Sequence, residues 1–508
     1  MDSVKKPLKK LYTWLSKEGR AAFLAAFILG ILTHAVMLLS DIPNHDGLDS
    51  MYFDQNMITS GRWFLEIACG ISSFYLLPWL SGLLSIVYLS ATAVLLVKLL
   101  KVNDSILAAL IGGMLVTFPT LTSNFAYVFT MDGYMIGLFL SVLSVYLVRK
   151  KKGFLFGGLA LAFSMGTYQA YLSVAILLCL YEILLSLFED TSLKEKFKNA
   201  LNYLLMGITG AVLYYVILRV LLFIQGKELD TYQGINGMAG ASQINVKEIY
   251  ADFVSFLLKG NVVFNNLFGL VAVIALLVAF AASFIYLAIK KGLLKKLYFY
   301  ISLLIILLII PVASNVILIV SPGVTYHAIM RYQYGLFGIL ALAFMGNVLK
   351  EYSNLKTLAW ISVVSGSVLI FTYMLTCNVA YSNLTKKYEK TYAYCLRLAD
   401  RIEQTEGYYE GIPIYMIGVV GTDNFPETDI TGDVTDHLIG INGDWLLYTS
   451  ENYELFYKYY MGITFNFLSP DEANYYDTDE YIALSSFPLE GCTKVVDGVL
   501  YVKTENLH

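Results

Sequence analysis

The sequence predicts a polytopic α-helical membrane protein of about eleven transmembrane helices, followed by a C-terminal extracytoplasmic α/β domain. Of the 508 residues, 57% are hydrophobic and only 15% are charged, whereas soluble domains carry about 25% charged residues. Apolar runs of about 20 residues, the length that crosses a bilayer core of about 30 Å, recur through the first three quarters of the chain. Residues 381–508 carry a net charge of −13 and residues 1–380 a net charge of +9. This split predicts two domains, 1–380 and 381–508, in different compartments.

Hydropathy places the spans in order along the first domain. The predicted spans are 21–40, 75–98, 105–122, 133–149, 153–167, 168–188, 200–224, 263–289, 297–320, 332–349 and 357–377. The first apolar run is longer than the hydrophobic core of a signal peptide, and no small-residue cleavage motif follows it. It is therefore predicted to remain as the first span.

The basic residues predict the orientation of these spans. With the N-terminus inside, 21 Lys and Arg residues fall in inner segments. The five in outer loops are Arg62, Lys227, Lys247, Lys259 and Arg331. This asymmetry obeys the positive-inside rule at every crossing. The loops at 41–74, 225–262 and 321–331 and the acidic C-terminal region are therefore predicted to lie outside.

The C-terminal region has the pattern of a small α/β domain. A helix is predicted over 383–404, where apolar residues recur at helical spacing, and strands over 412–418 and 498–504. About 125 residues suffice for a separate core. The five cysteines are scattered without a CxxC pair. Buried free thiols are favoured over a disulfide between Cys395 and Cys492.

Several common enzyme signatures are absent from the sequence. There is no GxxxxGK[ST] phosphate loop, no GxSxG elbow, no HExxH motif and no metal-ligand spacing. These absences argue against a Walker-type ATPase and the commonest hydrolases.

The first outer loop is the most polar segment of the membrane domain. It carries Asp41, His45, Asp46, Asp49 and Asp54 ahead of the motif GRWF at 61–64. A surface helix over 47–60 would group Asp46, Asp49 and His45 at one end. Carboxylates at a low-dielectric boundary have raised pKa values suited to accepting a proton from a hydroxyl. The alternative interpretation is a solvated acidic loop with Trp63 as an interfacial anchor.

Other polar residues are predicted at the outer helix ends or within a span. They are Asp132, Tyr168, Gln169, Tyr171, Arg219, His327 and Arg331. Charged groups at membrane depth cost about 2.5–3.5 kcal/mol, which makes them candidates for function. The alternative for both arginines is a side chain that reaches out to the lipid headgroups. Acids and arginines together suit a reaction in which a base activates a hydroxyl and a cation stabilises a departing phosphate.

Three segments resemble a known family. The stretch NHDGLDSMYFDQNMITSGRWF after the first span, GTYQAYLS at 166–173 and FPLEGCTKVVDGVLYVK near the C-terminus are similar to the bacterial Gtr-type, serotype-converting glucosyltransferases. That family belongs to the GT-C class of polyprenyl-phosphate-sugar-dependent glycosyltransferases. The resemblance covers most of the membrane domain and implies a GT-C-like fold.

The resemblance also implies a reaction and a set of site residues. Asp46, with Asp49 as second choice, would be the general base in transfer of a hexose, glucose first, from undecaprenyl phosphate with inversion. The sugar donor's phosphate would be bound by Arg331, Arg219, His45 and Arg62. The sugar and acceptor pocket would contain Asp132, Tyr168, Gln169, Tyr171 and His327.

The resemblance further implies the partners and the location. No cofactor is expected, although some GT-C relatives place Mg²⁺ or Mn²⁺ at carboxylates such as Asp46 and Asp49. The acceptor would be a cell-surface glycan, and membrane lipid but no nucleic acid is an expected partner. The location would be a bacterial cytoplasmic membrane, with the site and C-terminal domain extracytoplasmic. Rival functions are a transporter or flippase of lipid-linked saccharides, a polysaccharide polymerase or ligase, and a membrane scaffold. A transporter would be expected to show repeat symmetry and broken helices, which are not evident in the sequence.

Overall fold

A computed structural model describes residues 15–49, 54–70, 75–231, 234–235, 245–417, 438, 446–447, 449–468 and 479–504. The described part is mostly helical. Its α-helices are α1 Lys17–Leu39, α2 His45–Asp49, α3 Leu65–Cys69, α4 Pro78–Leu99, α5 Ser105–Thr117, α6 Leu121–Ala126, α7 Met131–Val148, α8 Gly153–Thr167, α9 Leu172–Ser186, α10 Leu193–Gln225, α11 Val246–Lys259, α12 Leu267–Lys290, α13 Leu297–Ser314, α14 Ile317–Val320, α15 Leu336–Glu351, α16 Lys356–Glu403, α17 Ser450–Phe456 and α18 Asp479–Ile482.

Nine helical segments in the described part are long and apolar enough to cross a membrane. They are Lys17–Leu39, Pro78–Leu99, Met131–Val148, Gln169–Ser186, Leu193–Gln225, Leu267–Lys290, Leu297–Ser314, Tyr332–Glu351 and Ser353–Glu403. Two shorter apolar helices, Ser105–Thr117 and Gly153–Thr167, occupy the third and fifth predicted spans. Each of the eleven predicted segments thus contains an apolar helix, and the chain is a membrane protein. The number of crossings and their direction stay predictions.

Polar residues at the helix starts explain several of the boundaries. Ser16 accepts a hydrogen bond from the Gly19 amide at the start of α1, and Asp104 accepts from two amides at the start of α5. At α10, Ser192 and Glu195 form a reciprocal capping box. Such caps satisfy amides that have no partner within the helix.

Small residues allow close packing of the first helices. At Gly112 of α5 a Cβ atom would collide with the Ala22 backbone carbonyl of α1, and at Gly82 of α4 it would lie 2.6 Å from the Leu38 side chain. Close approach through small residues is the usual way in which membrane helices gain packing energy. The α1, α4 and α5 group carries the first outer loop at its end.

The last apolar segment continues into the C-terminal region without a break. The predicted span 357–377 and the predicted helix 383–404 form one 48-residue helix, α16. The domain boundary predicted at 380/381 lies inside this helix and stays a prediction. Polar residues such as Lys386, Lys387 and Glu389 continue the helix beyond its apolar part.

A four-stranded sheet packs on the end of α16. Its strands are β1 Pro413–Ile417, β2 Asn466–Phe467, β3 Thr493–Val496 and β4 Val499–Lys503, in the order β2-β1-β4-β3. β1 pairs in parallel with β2 and β4, and β3 pairs antiparallel with β4. The predicted strands at 412–418 and 498–504 are confirmed as β1 and β4.

The C-terminal region has its own apolar core, which also includes a residue from the first outer loop. Leu398 and Ile402 of α16 pack with Ile414 of β1 and Leu500 of β4. Leu48 of α2 belongs to this same cluster. The core therefore joins the C-terminal region to the loop that follows the first span. All five cysteines are buried and free, as expected.

Candidate active site

The short helix α2 carries the acidic residues of the first outer loop. The Asn44 side chain accepts a hydrogen bond from the Gly47 amide at 2.7 Å and so caps the helix. His45, which is buried, lies with its Nε2 atom 3.3 Å from Asp46 Oδ1. The Asp46 side chain is 45% exposed. The acid turn, defined here as residues 44–49, thus presents an accessible carboxylate beside a buried imidazole.

Asp49 is held by the C-terminal region. The Asn452 side-chain amide donates to Asp49 Oδ1 at 2.9 Å. Partial burial raises the pKa of Asp49, and the negative charges of Glu451 and Asp46 raise it further. Asp41 is tied to the same region because the Tyr460 hydroxyl donates to its Oδ1 atom at 3.2 Å. Burial also raises the pKa of Asp41.

The predicted continuous helix over 47–60 is wrong for the described residues. α2 ends at Asp49, residues 54–56 are not helical, and a single 3₁₀ turn covers Ile58–Ser60. Residues 50–53 lie outside the described part. Asp54 Oδ1 accepts from the Asn56 amide, a local bond that competes with helix formation.

The GRWF motif packs the end of the first outer loop against two other helical segments, and its glycine allows this close contact. Gly61 has φ +77°, and a Cβ atom there would lie 2.6 Å from the Tyr214 hydroxyl and 2.7 Å from Gln169 Nε2. Gln169 donates to the Ser60 carbonyl at 2.9 Å, and Tyr214 donates to the Gly61 carbonyl at 3.1 Å. The absence of a side chain at 61 therefore lets the loop dock on α10 and on the segment after α8.

A second glycine completes the docking. The Phe64 amide donates to the Gly166 carbonyl at 2.7 Å, and the Trp63 ring packs where a Cβ atom of Gly166 would stand. The two sequence motifs GRWF and GTYQAY are therefore neighbours in space.

Arg62 lies among tyrosines at this junction. Its guanidinium donates to the Tyr134 hydroxyl at 3.2 Å and lies 5.0 Å from the centre of the Tyr168 ring. Tyr134 and Tyr168 stack at 4.7 Å. The acid turn packs on the connection just before α7, because the Asn44 side-chain amide donates to the Ala126 carbonyl at 3.1 Å and a Cβ atom at Gly47 would lie 3.9 Å from the Phe129 ring. The Arg62 cavity, lined by Arg62, Tyr168, Gln169 and Met330, measures only about 30 Å³.

Asp132 and Tyr171, two further residues of the predicted pocket, are both buried. Asp132 is 3% exposed and accepts a hydrogen bond from the Gly133 amide at the start of α7. Tyr171 makes an edge contact with Tyr168, with the ring centres 5.5 Å apart. The Tyr171 hydroxyl is buried and has no hydrogen-bond partner among the described residues.

Arg331 forms a bidentate ion pair with Asp252. Its two terminal nitrogens lie 2.7 Å from the two carboxylate oxygens of Asp252 on α11. Arg331 also donates to the Tyr326 carbonyl and lies 3.7 Å from the centre of the Tyr326 ring. The side chain is 10% exposed. Bidentate pairs of this kind are strong and directional, so the charge of Arg331 is already neutralised within the protein.

A larger cavity adjoins this ion pair. The Arg331 cavity has a volume of about 330 Å³ and is lined by Asp252, Ser255, Lys259, His327 and Arg331, among others. The exposed Lys259 side chain forms no ion pair within the described chain. The turn Ala328–Met330 separates the two cavities, since Ala328 lines the larger and Met330 the smaller.

Arg219 lies apart from this region. It is exposed on α10, whereas Tyr214 and Leu218 on the other side of the helix are buried. Exposed apolar side chains surround it on the same helix, among them Val216, Val220 and Phe223. The position is that of a side chain that extends along a lipid-facing surface.

The described carboxylates of the first outer loop make contacts other than metal ligation. Within the described residues, no three His, Cys, Asp or Glu side chains are grouped to hold a metal ion. Asp46 instead pairs with His45, and Asp49 with Asn452. The expectation of no cofactor, with Mg²⁺ or Mn²⁺ at Asp46 and Asp49 as the alternative, stays a prediction.

Sequence reasoning missed four residues that shape the site: Asp252, Lys259, Tyr134 and Asn452. Asp252 and Lys259 belong to a helix with a strongly apolar and a strongly polar face, and this pattern in the sequence could have predicted the helix. Tyr134 and Asn452 carry no local signal, because only the fold brings them to Arg62 and Asp49.

Comparison with known proteins identifies the family of the chain. The family model described as Glucosyl transferase GtrII matches residues 35–337, which is more than half of the chain and includes the acid turn and both cavities. No curated protein matches the chain. No solved structure matches it either. The resemblance found in the sequence is confirmed: the chain belongs to the GtrII glucosyltransferase family, and is a membrane glycosyltransferase.

Proposed function

We propose that this protein transfers a hexose, glucose in the first instance, from undecaprenyl phosphate to a hydroxyl of a cell-surface glycan on the outer face of a bacterial cytoplasmic membrane. The observation that carries the proposal is the acid turn. An accessible carboxylate, Asp46, lies beside His45, in a turn that packs on the connection just before α7, and Tyr134 of α7 binds Arg62. A base and a cation in one region are the two groups that the reaction needs.

In the proposed reaction Asp46 accepts the proton of the acceptor hydroxyl. The hydroxyl oxygen attacks the anomeric carbon, the bond from that carbon to the phosphate oxygen breaks, and the electron pair leaves with the polyprenyl phosphate. The new bond forms opposite the broken one, so configuration inverts. His45, 3.3 Å from the carboxylate, orients Asp46. Asp49 is the second choice of base.

The phosphate of the sugar donor is assigned to the Arg331 cavity. Its volume of about 330 Å³ accommodates a phosphate and part of a sugar, whereas the Arg62 cavity of about 30 Å³ holds little more than water. Lys259 supplies the charge that Asp252 does not neutralise, and His327 and Ser255 line the same wall. Arg331 shapes this cavity while paired with Asp252.

The sugar is assigned to the region between the two cavities, next to the acid turn. Arg62, Tyr168 and Gln169 form the polar wall there, and Tyr171 packs edge-on against Tyr168. Aromatic faces and amides are suitable partners for a hexose ring and its hydroxyls. The acceptor approaches from the C-terminal side, where Asn452 fixes Asp49.

The test is transfer by purified full-length protein in lipid vesicles. Radiolabelled undecaprenyl-phosphate glucose and a crude wall-glycan fraction are supplied, and label in the glycan is measured. Wild type is expected to transfer, and Asp46→Asn to lose about 100-fold or more of the rate, because general-base catalysis contributes about 10²–10⁴-fold. Asp54→Asn, the same change in the same loop, is the matched control and is expected to keep the rate.

Three outcomes would contradict the proposal. Equal transfer by wild type and Asp46→Asn would remove Asp46 as base. Transfer from a nucleotide sugar but not from any polyprenyl-phosphate sugar would overturn the sugar donor. Movement of the lipid-linked sugar across the vesicle membrane without transfer to glycan would favour the flippase.

A further inference from the structure

Helix α11, Val246–Lys259, forms one wall of the Arg331 cavity and has three different faces. Residues three or four positions apart in a helix share a face, so each face is a stripe along α11. The first stripe is buried or half-buried against the protein and consists of Ile249, Phe253 and Phe256. The second stripe is polar and consists of Glu248, Asp252, Ser255 and Lys259. The third, called here the apolar stripe, consists of Tyr250, Val254 and Leu258.

The apolar stripe lies outside the buried core of the described chain. Val254 is 51% exposed and Leu258 is 65% exposed, and Tyr250 is half-buried. A helix on a water-exposed surface usually has one apolar face, which it turns towards the protein. In α11 the first stripe already packs against the protein, so the apolar stripe requires a second apolar environment.

A hydrogen bond to a membrane-length helix locates the apolar stripe. The Tyr250 hydroxyl donates to the Leu308 carbonyl of α13 at 2.6 Å. α13 is one of the helices long and apolar enough to cross a membrane, and its Leu308 side chain is 52% exposed. Leu308 lies six residues before Ser314, the last residue of α13, which is about 9 Å at 1.5 Å per residue. The apolar stripe therefore begins beside the exposed surface of α13, below the end that is predicted to be outer.

Other contacts fix which faces of α11 are turned towards the protein. The side-chain amide of Asn315, which directly follows α13, donates to the Ile249 carbonyl at 2.9 Å and to the Asp252 carboxylate at 3.0 Å. Asp252 is also bound by both terminal nitrogens of Arg331. The first stripe and the polar stripe are thus held at the end of α13, and the apolar stripe faces away from these contacts.

We propose that α11 is an interfacial helix whose apolar stripe is inserted into the outer leaflet, at the boundary between the lipid headgroups and the acyl chains. Helices of this kind bury their apolar face about 5–10 Å into that boundary. Tyrosine suits this depth because its ring is apolar and its hydroxyl can find a polar partner. Lys247 lies beside the stripe at the start of α11, and its long side chain can extend to the lipid phosphates.

The proposal has a consequence for the Arg331 cavity. Asp252, Ser255 and Lys259 of the polar stripe line this cavity, so an interfacial α11 holds them near the depth of the lipid phosphates. Such a depth suits the phosphate of a ligand that is anchored in the leaflet by a lipid chain. That use of the cavity rests on the proposed function, whereas the contact of α11 with lipid does not.

The test measures which stripe of α11 meets lipid in the full-length protein. Val254→Cys and Leu258→Cys on the apolar stripe, and Glu248→Cys and Ser255→Cys on the polar stripe, are each labelled with a nitroxide. The variants are placed in phosphatidylethanolamine and phosphatidylglycerol vesicles. Electron paramagnetic resonance then compares collisions with oxygen, which concentrates in lipid, and with a nickel chelate, which stays in water. The oxygen-to-nickel ratio is expected to be about threefold or more higher on the apolar stripe.

Three controls calibrate the measurement. Leu304→Cys, at a position 58% exposed on α13, is the reference for lipid, and Tyr409→Cys, at a position 54% exposed in the C-terminal region, is the reference for water. The unsubstituted protein gives the labelling background, because all five native cysteines are buried. Thermal unfolding checks that each labelled variant is folded, and two positions on each stripe protect the result against the failure of one variant.

Two results would overturn the proposal. A ratio at Val254→Cys and Leu258→Cys equal to that of Tyr409→Cys would place the apolar stripe in water. Few collisions with either reagent at both positions would show that protein, such as a second copy of the chain, covers the stripe. Neither result depends on transfer activity, so the proposed function is tested separately.

Discussion

The Arg62 cavity and the Arg331 cavity lie on either side of one short turn. They differ in volume and in whether a carboxylate neutralises the arginine. Arg62 lies between tyrosines, in a space of about 30 Å³. Arg331 adjoins a space of about 330 Å³, but Asp252 already neutralises its charge. A charge available to a ligand and the space for that ligand are therefore distinct properties. A basic residue in an outer loop predicts neither of them by itself.

The largest expected effect comes from breaking the pair beside the larger cavity. Asp252→Asn would leave Arg331 as a largely buried cation without its carboxylate. Arg331→Met would leave the Asp252 carboxylate without its cation. Loss of one partner of a buried pair costs about 3–5 kcal/mol of unfolding free energy. Thermal unfolding in detergent measures the loss.

The control for this change is a pair whose acid is exposed, with 54% of the Glu351 side chain accessible. Glu351→Gln at the Lys291–Glu351 contact is expected to cost no more than about 1 kcal/mol. The combined change Asp252→Leu with Arg331→Met should regain most of the lost stability. If Asp252→Asn is as stable as wild type, Arg331 is not committed to Asp252 and the contrast between the two cavities fails.

The next effect concerns the packing beside the smaller cavity. Gly61→Ala adds a Cβ atom against Tyr214 and Gln169 at a backbone angle that only glycine adopts readily. We expect a loss of about 1–3 kcal/mol in unfolding free energy, together with lower transfer activity.

Gly292 offers a matched comparison. It has the same left-handed backbone conformation, with φ +61° and ψ 24°, but an added Cβ atom there would have no contact within 4 Å. Gly292→Ala should therefore report the backbone strain without the collision. Equal losses at the two positions would show that the close approach of the GRWF loop to Tyr214 is unimportant.

Substrate kinetics separate the roles of the two cavities. Lys259→Met is expected to raise the KM for the sugar donor about tenfold, which corresponds to about 1.4 kcal/mol for a charge-assisted contact with phosphate. Arg62→Met is expected to lower kcat more than it raises KM, because Arg62 lies near the acid turn. The opposite result, with KM sensitive to Arg62 alone, would move the phosphate to the smaller cavity.

The smallest expected effect is a change in the pH dependence of stability. The pKa of Asp49 in the folded protein lies above its usual value of 3.8, mainly because of burial. The folded protein therefore favours the protonated form of Asp49. The contribution of protonated Asp49 to the free energy of unfolding is fully present below about pH 3.8, and it is lost as the pH rises through the raised pKa. Asp49→Asn removes that dependence.

We therefore expect the stability of wild type relative to Asp49→Asn to fall as the pH rises above about 3.8. Unfolding followed between pH 3.5 and 7 measures the difference. Asp54→Asn controls for the loss of one negative charge from the loop. A relative stability that rises with pH would mean that Asn452 lowers the pKa of Asp49 more than burial and Glu451 raise it.

The sequence by itself determined the class of the molecule. Apolar runs long enough for a bilayer located the eleven long or medium-length apolar helices of the described residues, because burial in lipid imposes a length and a composition that local sequence records. The two strands at 412–418 and 498–504 and the buried thiols were also predicted. The motif at 44–64, together with those at 166–173 and near the C-terminus, indicated the family.

The tertiary structure alone decided what each polar residue does. Arg331 was predicted from its location, but only folding brings Asp252, 79 residues earlier, to its guanidinium. Asp49 and Asn452 are 403 residues apart in the chain. Local rules also favoured one helix over 47–60, whereas the glycine at 61 docks the loop onto distant Tyr214 and Gln169. Partner choice between charges depends on distance in space and on burial, and a local pattern records neither.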